Sequence, residues 1–152
     1  MKEAHQIARK RQDVNVSATD LLKVPDGTIT EEGLRHNISV GIQYIEAWLN
    51  GIGCVPLYNL MEDAATAEIC RAQVWQWIRH GATIADGPTI DVDLFDRLLS
   101  EQLTRIREEL GNDRYESGQF EGAAKLFDDL VKQEQFTEFL TLPAYDHVTA
   151  SE

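Results

Sequence analysis

The stretch that decides how this chain is interpreted reads LMEDAATAEI and occupies residues 60–69. Glu62 and Asp63 come directly before an alanine-rich run, which favours a helix. An aspartate at such a start is a common N-cap, because its carboxylate accepts hydrogen bonds from the first unpaired backbone amides. The mostly apolar residues that lead in, at 57–61, indicate a helix start that is buried or lies in a cleft, where desolvation makes a carboxylate a better proton acceptor. Asp63 is therefore either a helix cap or a catalytic base, and local rules favour the cap.

Apolar residues recur at steps of three and four on both sides of this stretch, a spacing typical of amphipathic helices. The sequence predicts helices from about Thr28–Thr30 to Gly51, from Asp63 or Ala64 to His80, from Asp91 to Leu110, over about 120–131, and over about 136–140. Alternating runs rich in Val, Ile and Thr are absent from the sequence, and so are repeats of 20–50 residues. The predicted class is all-α, with about five helices that form a bundle-like plug and no TIM barrel.

The segments between these helices carry further local signals. Thr28 with Glu31 fits a capping box for the first long helix, and residues 51–60 are expected to form a loop with a short extended piece. Residues 112–118 read as a polar connection, and Pro143 is expected to end regular structure, which leaves 145–152 as a tail. Residues 1–16 are polar and weakly patterned, so we interpret them as a leader or linker and residues 17–152 as the helical domain.

The net charge of −12 disfavours nucleic acid and anionic membranes as partners. The basic residues Lys2, Arg9, Lys10 and Arg11 are close to the N-terminus and carry no aromatic residue that could stack on bases, so a solvated tail or helix is favoured there. The sequence contains no run of 18 apolar residues, no apolar signal core and no C-terminal Ser-Lys-Leu. A cytoplasmic location is expected, or a peroxisomal or glyoxysomal one in a eukaryote.

Metal and thiol chemistry find little support in the sequence. No two of the four histidines have a helical ligand spacing, so no metal site carried by this chain is expected. Cys54 and Cys70 are expected to be free thiols, with Cys70 packed inside a helix and Cys54 in a glycine-rich loop where it could be exposed. A nucleophilic cysteine is disfavoured, since no base is close in sequence.

Longer matches extend from the opening stretch in both directions. Residues 53–69 read GCVPLYNLMEDAATAEI and residues 71–78 read RAQVWQWI. Together they closely resemble the C-terminal part of malate synthase of the shorter A-type. The flanking runs TEEGLRHNI at 30–38, YIEAWL at 44–49 and FLTLPAY at 139–145 are similar to segments of the same family. The resemblance covers about residues 13–148.

The resemblance implies an enzyme that condenses glyoxylate with acetyl-CoA and hydrolyses the thioester to give malate and CoA. In that family the active site lies between a TIM barrel, which holds Mg²⁺ and glyoxylate, and a C-terminal helical plug. Asp63 matches the catalytic base that takes a methyl proton from acetyl-CoA, Met61 matches a residue that lines the substrate pocket, and Cys54 lies on the neighbouring loop of that pocket. Glu62 receives no role. Because a base needs a free oxygen, we expect a neighbour to cap the helix in place of Asp63.

The chain departs from the family in its length, since it contains no β/α repeats and no Mg²⁺-ligand acids in a barrel context. We therefore expect an excised C-terminal domain that folds alone but does not turn over glyoxylate and acetyl-CoA. The alternative is a free-standing helical module that binds a partner or itself and has no catalytic role. Such a module would expose a large apolar patch around Leu57–Met61 and Trp75–Trp77.

Overall fold

The computed structural model describes residue 5 and residues 7–24 and 26–149, in which seven helices and one two-stranded hairpin are formed. In chain order the elements are α1 (Ala18–Leu22), α2 (Glu31–Leu49), β1 (Val55–Leu57), β2 (Leu60–Glu62), α3 (Ala64–Arg79), α4 (Val92–Leu110), α5 (Asn112–Ser117), α6 (Phe120–Lys132) and α7 (Thr141–Thr149). The predicted helical class is confirmed. No helix among the described residues is long and apolar enough to cross a membrane.

Helix α2 lies at the centre of the fold, because residues 37–47 are buried on every side of the helix. It packs against α3, α4 and α6, and its side chains share one core with those helices. Gly41 marks the closest approach, since a Cβ there would overlap the ring of Phe127 on α6. The interior glycine therefore permits close helix packing at this position, which offsets its low helix propensity.

Strands β1 and β2 form an antiparallel hairpin with Val55 opposite Glu62 and Leu57 opposite Leu60. Tyr58 and Asn59 make the turn with positive φ angles of 50° and 66°, which fits a two-residue type I′ turn. The sequence predicted only a short extended piece in a loop here. Strands of three residues are too short to show an alternating pattern, and contacts with α2 help to hold them: Tyr58 Oη lies 2.8 Å from Ser39 Oγ.

The long helices α2, α3, α4 and α6 agree with the predicted ones to within a few residues, but the first cap is different. Thr30, and not Thr28, is the N-cap of α2, and its hydroxyl accepts a hydrogen bond from the Gly33 amide at 3.0 Å. Residues 112–117 form α5 where a polar connection was predicted. Tyr115 anchors this short helix, because its buried ring stacks on Phe120 with 4.9 Å between the ring centroids.

The predicted fifth helix at 136–140 is wrong, and so is the expectation that Pro143 ends regular structure. The helix in this region is α7, which begins at Thr141 and has Pro143 in its first turn, where a proline disrupts no helical hydrogen bond. Residues 133–140 form a connection pinned to α3. Glu68 accepts a hydrogen bond from the Leu140 amide at 2.8 Å, and the buried Arg71 donates to the Glu138 carbonyl at 3.1 Å.

The described residues up to Val24 are exposed. Residues 7–16 contain turns but no helix, and α1 buries none of its residues although Ser17 and Asp20 form a complete capping box. Lys2 of the predicted basic tail and residues 150–152 of the predicted C-terminal tail lie outside the described residues. The assignment of 1–16 as a linker stays a prediction.

Candidate active site

Asp63 is the N-cap of α3, as local rules predicted. Its Oδ1 accepts hydrogen bonds from the amides of Ala65 at 2.9 Å and Thr66 at 3.3 Å. The expectation that a neighbour takes over the capping is wrong. Both bonds use the same oxygen, and within the described residues Oδ2 accepts no hydrogen bond. A carboxylate can therefore cap α3 with one oxygen and present the other to a substrate.

The helix start is more open than the sequence indicated. Asp63 is exposed, and the side chains of Leu60 and Met61 are 59% and 68% exposed. For Met61 the hairpin explains the difference, because successive residues of a strand point to opposite faces. Pro56 and Met61 are opposite each other on the outward face, while Glu62 points inward and is 7% exposed. Leu60 is on the same face as Glu62, but it is exposed beside the turn at the start of its strand. In this chain, the expected burial of Asp63 by Leu60 and Met61 is not found.

Cys54 and Asp63 come together at the open end of the hairpin. Val55 and Glu62 are the outermost pair of the register, so the two residues that follow outward are Cys54 and Asp63. Tyr44 of α2 lies beneath them, and its hydroxyl donates to the Gly53 carbonyl at 3.1 Å. Burial raises the pKa of Tyr44, and the charges of Asp63 and Cys54 raise it further. The structure thus joins two predicted site residues and adds a third, Tyr44.

Sequence reasoning missed Tyr44 as a site residue, since it fits the apolar stripe of a helix like any other core aromatic. Its side chain is 1% exposed, which agrees with a core position. Only the hydroxyl distinguishes it, because the ring packs in the core and the oxygen reaches the loop. No spacing rule predicts that contact, which depends on how the loop at 51–54 folds back over α2.

Comparison of the sequence with known proteins shows to which family the chain belongs. The family described as "Malate synthase, C-terminal" matches residues 28–148. The malate synthase of Myxococcus xanthus is 57% identical over 150 residues, which are 99% of this chain and 28% of that protein. Malate synthase A of Escherichia coli is 48% identical over 136 residues, and the glyoxysomal malate synthase of Brassica napus is 49% identical over 145 residues.

The chain belongs to the malate synthase family. It corresponds to the C-terminal domain, as the predicted resemblance indicated. It spans little more than a quarter of each of these three relatives, with 90–99% of its own residues aligned to 26–28% of theirs.

The two thiols of this malate synthase domain lie in opposite environments, as predicted. Cys54 is free and exposed, whereas Cys70 is free and buried beneath the hairpin with Val40 and Leu57. Burial, with a smaller effect of the nearby Glu62 carboxylate, raises the pKa of the Cys70 thiol to about 12. Cys70 is therefore an unreactive packing residue at neutral pH, because the thiolate is the reactive form.

The exposed apolar surface beside the hairpin differs in its residues from the predicted patch. It includes Leu60, Met61 and Ile69, each more than half exposed. Trp75 and Trp77 are partly buried against the core, and the Trp75 indole donates to the Gln133 carbonyl at 2.9 Å. The patch is therefore centred on the hairpin and the first turns of α3, next to Asp63.

A cavity of about 420 Å³ lies elsewhere in the malate synthase domain, between α2, α4 and the tip of the hairpin. Arg35, Tyr58 and Arg105 line it, whereas Cys54, Met61 and Asp63 do not. Arg35 is paired with Glu31 at 2.7 Å and with Glu101 at 2.6 Å, which neutralises its charge. We therefore place the candidate active site at the open end of the hairpin, on the position of the predicted residues, and not in this cavity.

Proposed function

We propose that this chain is the part of a malate synthase that supplies the catalytic base, Asp63, for the condensation of acetyl-CoA with glyoxylate. The observation that supports this role is that the two carboxylate oxygens of Asp63 differ in their contacts. Oδ1 accepts both amide hydrogen bonds of the α3 start, which holds the side chain in one orientation. Oδ2 accepts no hydrogen bond from the described residues and is therefore available to accept a proton.

In the proposed reaction, Oδ2 of Asp63 takes a proton from the methyl group of acetyl-CoA. The electron pair of that C–H bond forms the enolate, whose carbon attacks the aldehyde carbon of glyoxylate to make the new C–C bond. The π bond of the aldehyde breaks in the same step, and its oxygen takes up a proton to become the hydroxyl of malate. Water then hydrolyses the thioester, which releases CoA and leaves malate. A base for such carbon-acid chemistry is most effective when it is rigid and shielded from water. The α3 cap supplies the rigidity.

The shielding has to come from outside this chain, because Asp63, Leu60 and Met61 are exposed. We propose that the barrel domain of the complete enzyme covers this surface and that Met61 and Cys54 line the substrate pocket formed there. The length of the relatives supports this, since nearly three quarters of each of them lies outside the match. Packing against the hairpin would desolvate Asp63, and desolvation makes a carboxylate a better proton acceptor.

The family resemblance implies Mg²⁺, but the described residues offer no group of three or more His, Cys, Asp or Glu side chains that could hold a metal ion. The residues of this chain therefore do not fit a Mg²⁺ site, and we propose that the barrel holds the ion. By the same reasoning the 152-residue chain alone is expected to form no malate. A cytoplasmic location stays a prediction, since several plant relatives, among them that of Brassica napus, are named glyoxysomal.

The test is Asp63→Asn in a complete malate synthase that carries this domain. Asparagine keeps the capping oxygen but is not a base, so kcat should fall by about a thousandfold, within the range for loss of a general base, while acetyl-CoA binding stays within about twofold. Asp91→Asn is the matched control, because Asp91 caps α4 in the same way and is predicted to have no part in the reaction. Normal turnover by the Asp63→Asn enzyme would refute the proposed role, and malate formation by the isolated chain would refute its inactivity.

One observation favours a second function, that of an interaction module without catalysis. The apolar side chains of Leu60, Met61 and Ile69 are available for contact with a partner or with a second copy. Sedimentation of the isolated chain tests this, since a module of that kind would self-associate and Met61→Glu would return it to a monomer. The match to the malate synthase C-terminal family makes the catalytic reading the preferred one.

A further inference from the structure

The loop at residues 51–54, which carries Cys54, is held to α2 by two backbone hydrogen bonds and by the side chain of Tyr44. Gly51 and Ile52 are secured by backbone bonds to Trp48 and Ala47 at the end of α2, at 2.9 Å each. Val55 is secured by its pairing with Glu62. Between these two anchors, the bond from Tyr44 to the Gly53 carbonyl is the contact that fixes the chain.

Packing adds little to this segment. A Cβ at Gly51 or Gly53 would meet no atom within 4 Å, and Cys54 is exposed. Tyr44 is rigid by contrast, since it lies near the middle of the buried stretch of α2 and is 1% exposed. Because Tyr44 is fixed in α2, its hydrogen bond sets the position of the Gly53 carbonyl relative to that helix.

The donor is available at every physiological pH. Burial raises the pKa of the Tyr44 phenol, and nearby negative charge at Asp63 and Cys54 raises it further. A raised pKa means that the hydroxyl keeps its proton as the pH rises, so the bond to Gly53 persists.

We propose that Tyr44 is a positioning residue of the active site, whose hydroxyl holds the Gly53–Cys54 segment at a set distance from Asp63. The proposal rests on the proposed function, because the distance matters only if Asp63 and Cys54 face one substrate. The structural part of the proposal, that the Tyr44 hydroxyl orders the Gly53–Cys54 segment, does not depend on the proposed function, because it follows from the contacts within this chain.

The test uses Tyr44→Phe, which removes the hydroxyl and keeps the ring in the core. Tyr115→Phe is the matched control, because Tyr115 is also buried and its hydroxyl bonds to Glu121 of α6 at 3.1 Å. The bond lost in Tyr44→Phe is accepted by the Gly53 carbonyl, so the measurement is the backbone motion of this segment. The backbone ¹⁵N order parameters of residues 53–54 should fall from about 0.85 to below about 0.6 in Tyr44→Phe and stay unchanged in Tyr115→Phe.

The second measurement is turnover in the complete enzyme. Tyr44→Phe should lower kcat by about tenfold with KM for both substrates within about twofold, because misplaced groups slow the chemical step more than they weaken binding. Unchanged order parameters at 53–54, a decrease spread evenly over the chain, or an unchanged kcat would each overturn the proposal. If Asp63→Asn is inactive while Tyr44→Phe behaves like wild type, only the positioning role fails. If Asp63→Asn keeps full activity, the proposed function fails, and the order parameters still decide whether Tyr44 orders the loop.

Discussion

The starts of α3 and α4 are nearly the same in local geometry and different in surroundings. Asp63 and Asp91 have φ angles of −124° and −125° and ψ angles of −174° and −178°. Each caps its helix through Oδ1, and the Asp91 bond to the Leu94 amide is 2.8 Å long. By the rules for helix termini the two aspartates are equivalent.

Their surroundings separate them. The residue before Asp91 is Ile90, which is fully buried and bonded through its amide to the Ala82 carbonyl at 2.7 Å, so Asp91 follows a segment that is tied into the fold. Asp63 follows the open end of a hairpin and lies next to the Cys54 loop, which the Tyr44 hydroxyl contacts at the Gly53 carbonyl. A cap can thus be a purely structural residue or a candidate reagent, and what lies beside it decides which.

After removal of the Asp63 carboxylate itself, the largest difference between Asp63 and Asp91 is expected when each side chain is lengthened by one methylene. In the complete enzyme, Asp63→Glu keeps the charge but shifts the base by about one methylene, and such a displacement should lower kcat by about a hundredfold. Asp91→Glu should leave kcat within about twofold. Steady-state kinetics on the two variants checks this, and equal effects would mean that Asp63 is only a cap.

A smaller effect is expected in the reactivity of the two thiols, of which Cys54 is exposed and Cys70 is buried beneath the hairpin. At pH 8, an alkylating reagent should modify Cys54 more than about tenfold faster than Cys70, because burial raises the pKa of the Cys70 thiol to about 12 and keeps it protonated. Peptide mass spectrometry of the folded chain measures both rates. Cys54→Ser and Cys70→Ala give the assignment, and similar rates at the two thiols would show that the hairpin does not seal the core.

The smallest expected effect is on the free energy of unfolding, and here Asp63 and Asp91 should behave alike. Asp63→Ala and Asp91→Ala should each lower the free energy of unfolding of this chain by about 1 kcal/mol, since each removes an N-cap carboxylate. Urea denaturation followed by circular dichroism measures both values. A loss at Asp63 close to zero would mean that its cap contributes nothing, and the argument that Oδ1 holds the carboxylate in place would fall.

Several parts of this fold were predictable because they depend on neighbours in sequence. The helices α2, α3, α4 and α6 follow from apolar periodicity, and the Asp63 cap follows from an acid before an alanine-rich run. The glycine-rich loop was also predicted to expose Cys54, which is confirmed. The match to the malate synthase C-terminal family was predictable from the long run at 53–69, because a run of that length is specific.

Other parts depend on contacts between segments distant in sequence, and they were missed. The hairpin turn is tied to α2 through Tyr58, and the connection after α6 is tied to α3 through Glu68 and Arg71, which shifts the last helix to Thr141–Thr149. Local propensity carries no information about such contacts.

By itself, then, the sequence determined the helical class, the family and the identity of the candidate base, since each depends on residue type and short-range spacing. The tertiary structure alone decided that one oxygen of Asp63 caps α3 while the other accepts no hydrogen bond from the described residues. It likewise decided that the Cys54 loop, to which Tyr44 bonds, lies beside Asp63. It also decided that this surface is open. The physical reason is that burial and the direction of a side chain depend on which segments pack together, and here the segments that meet are α2, the hairpin and the start of α3.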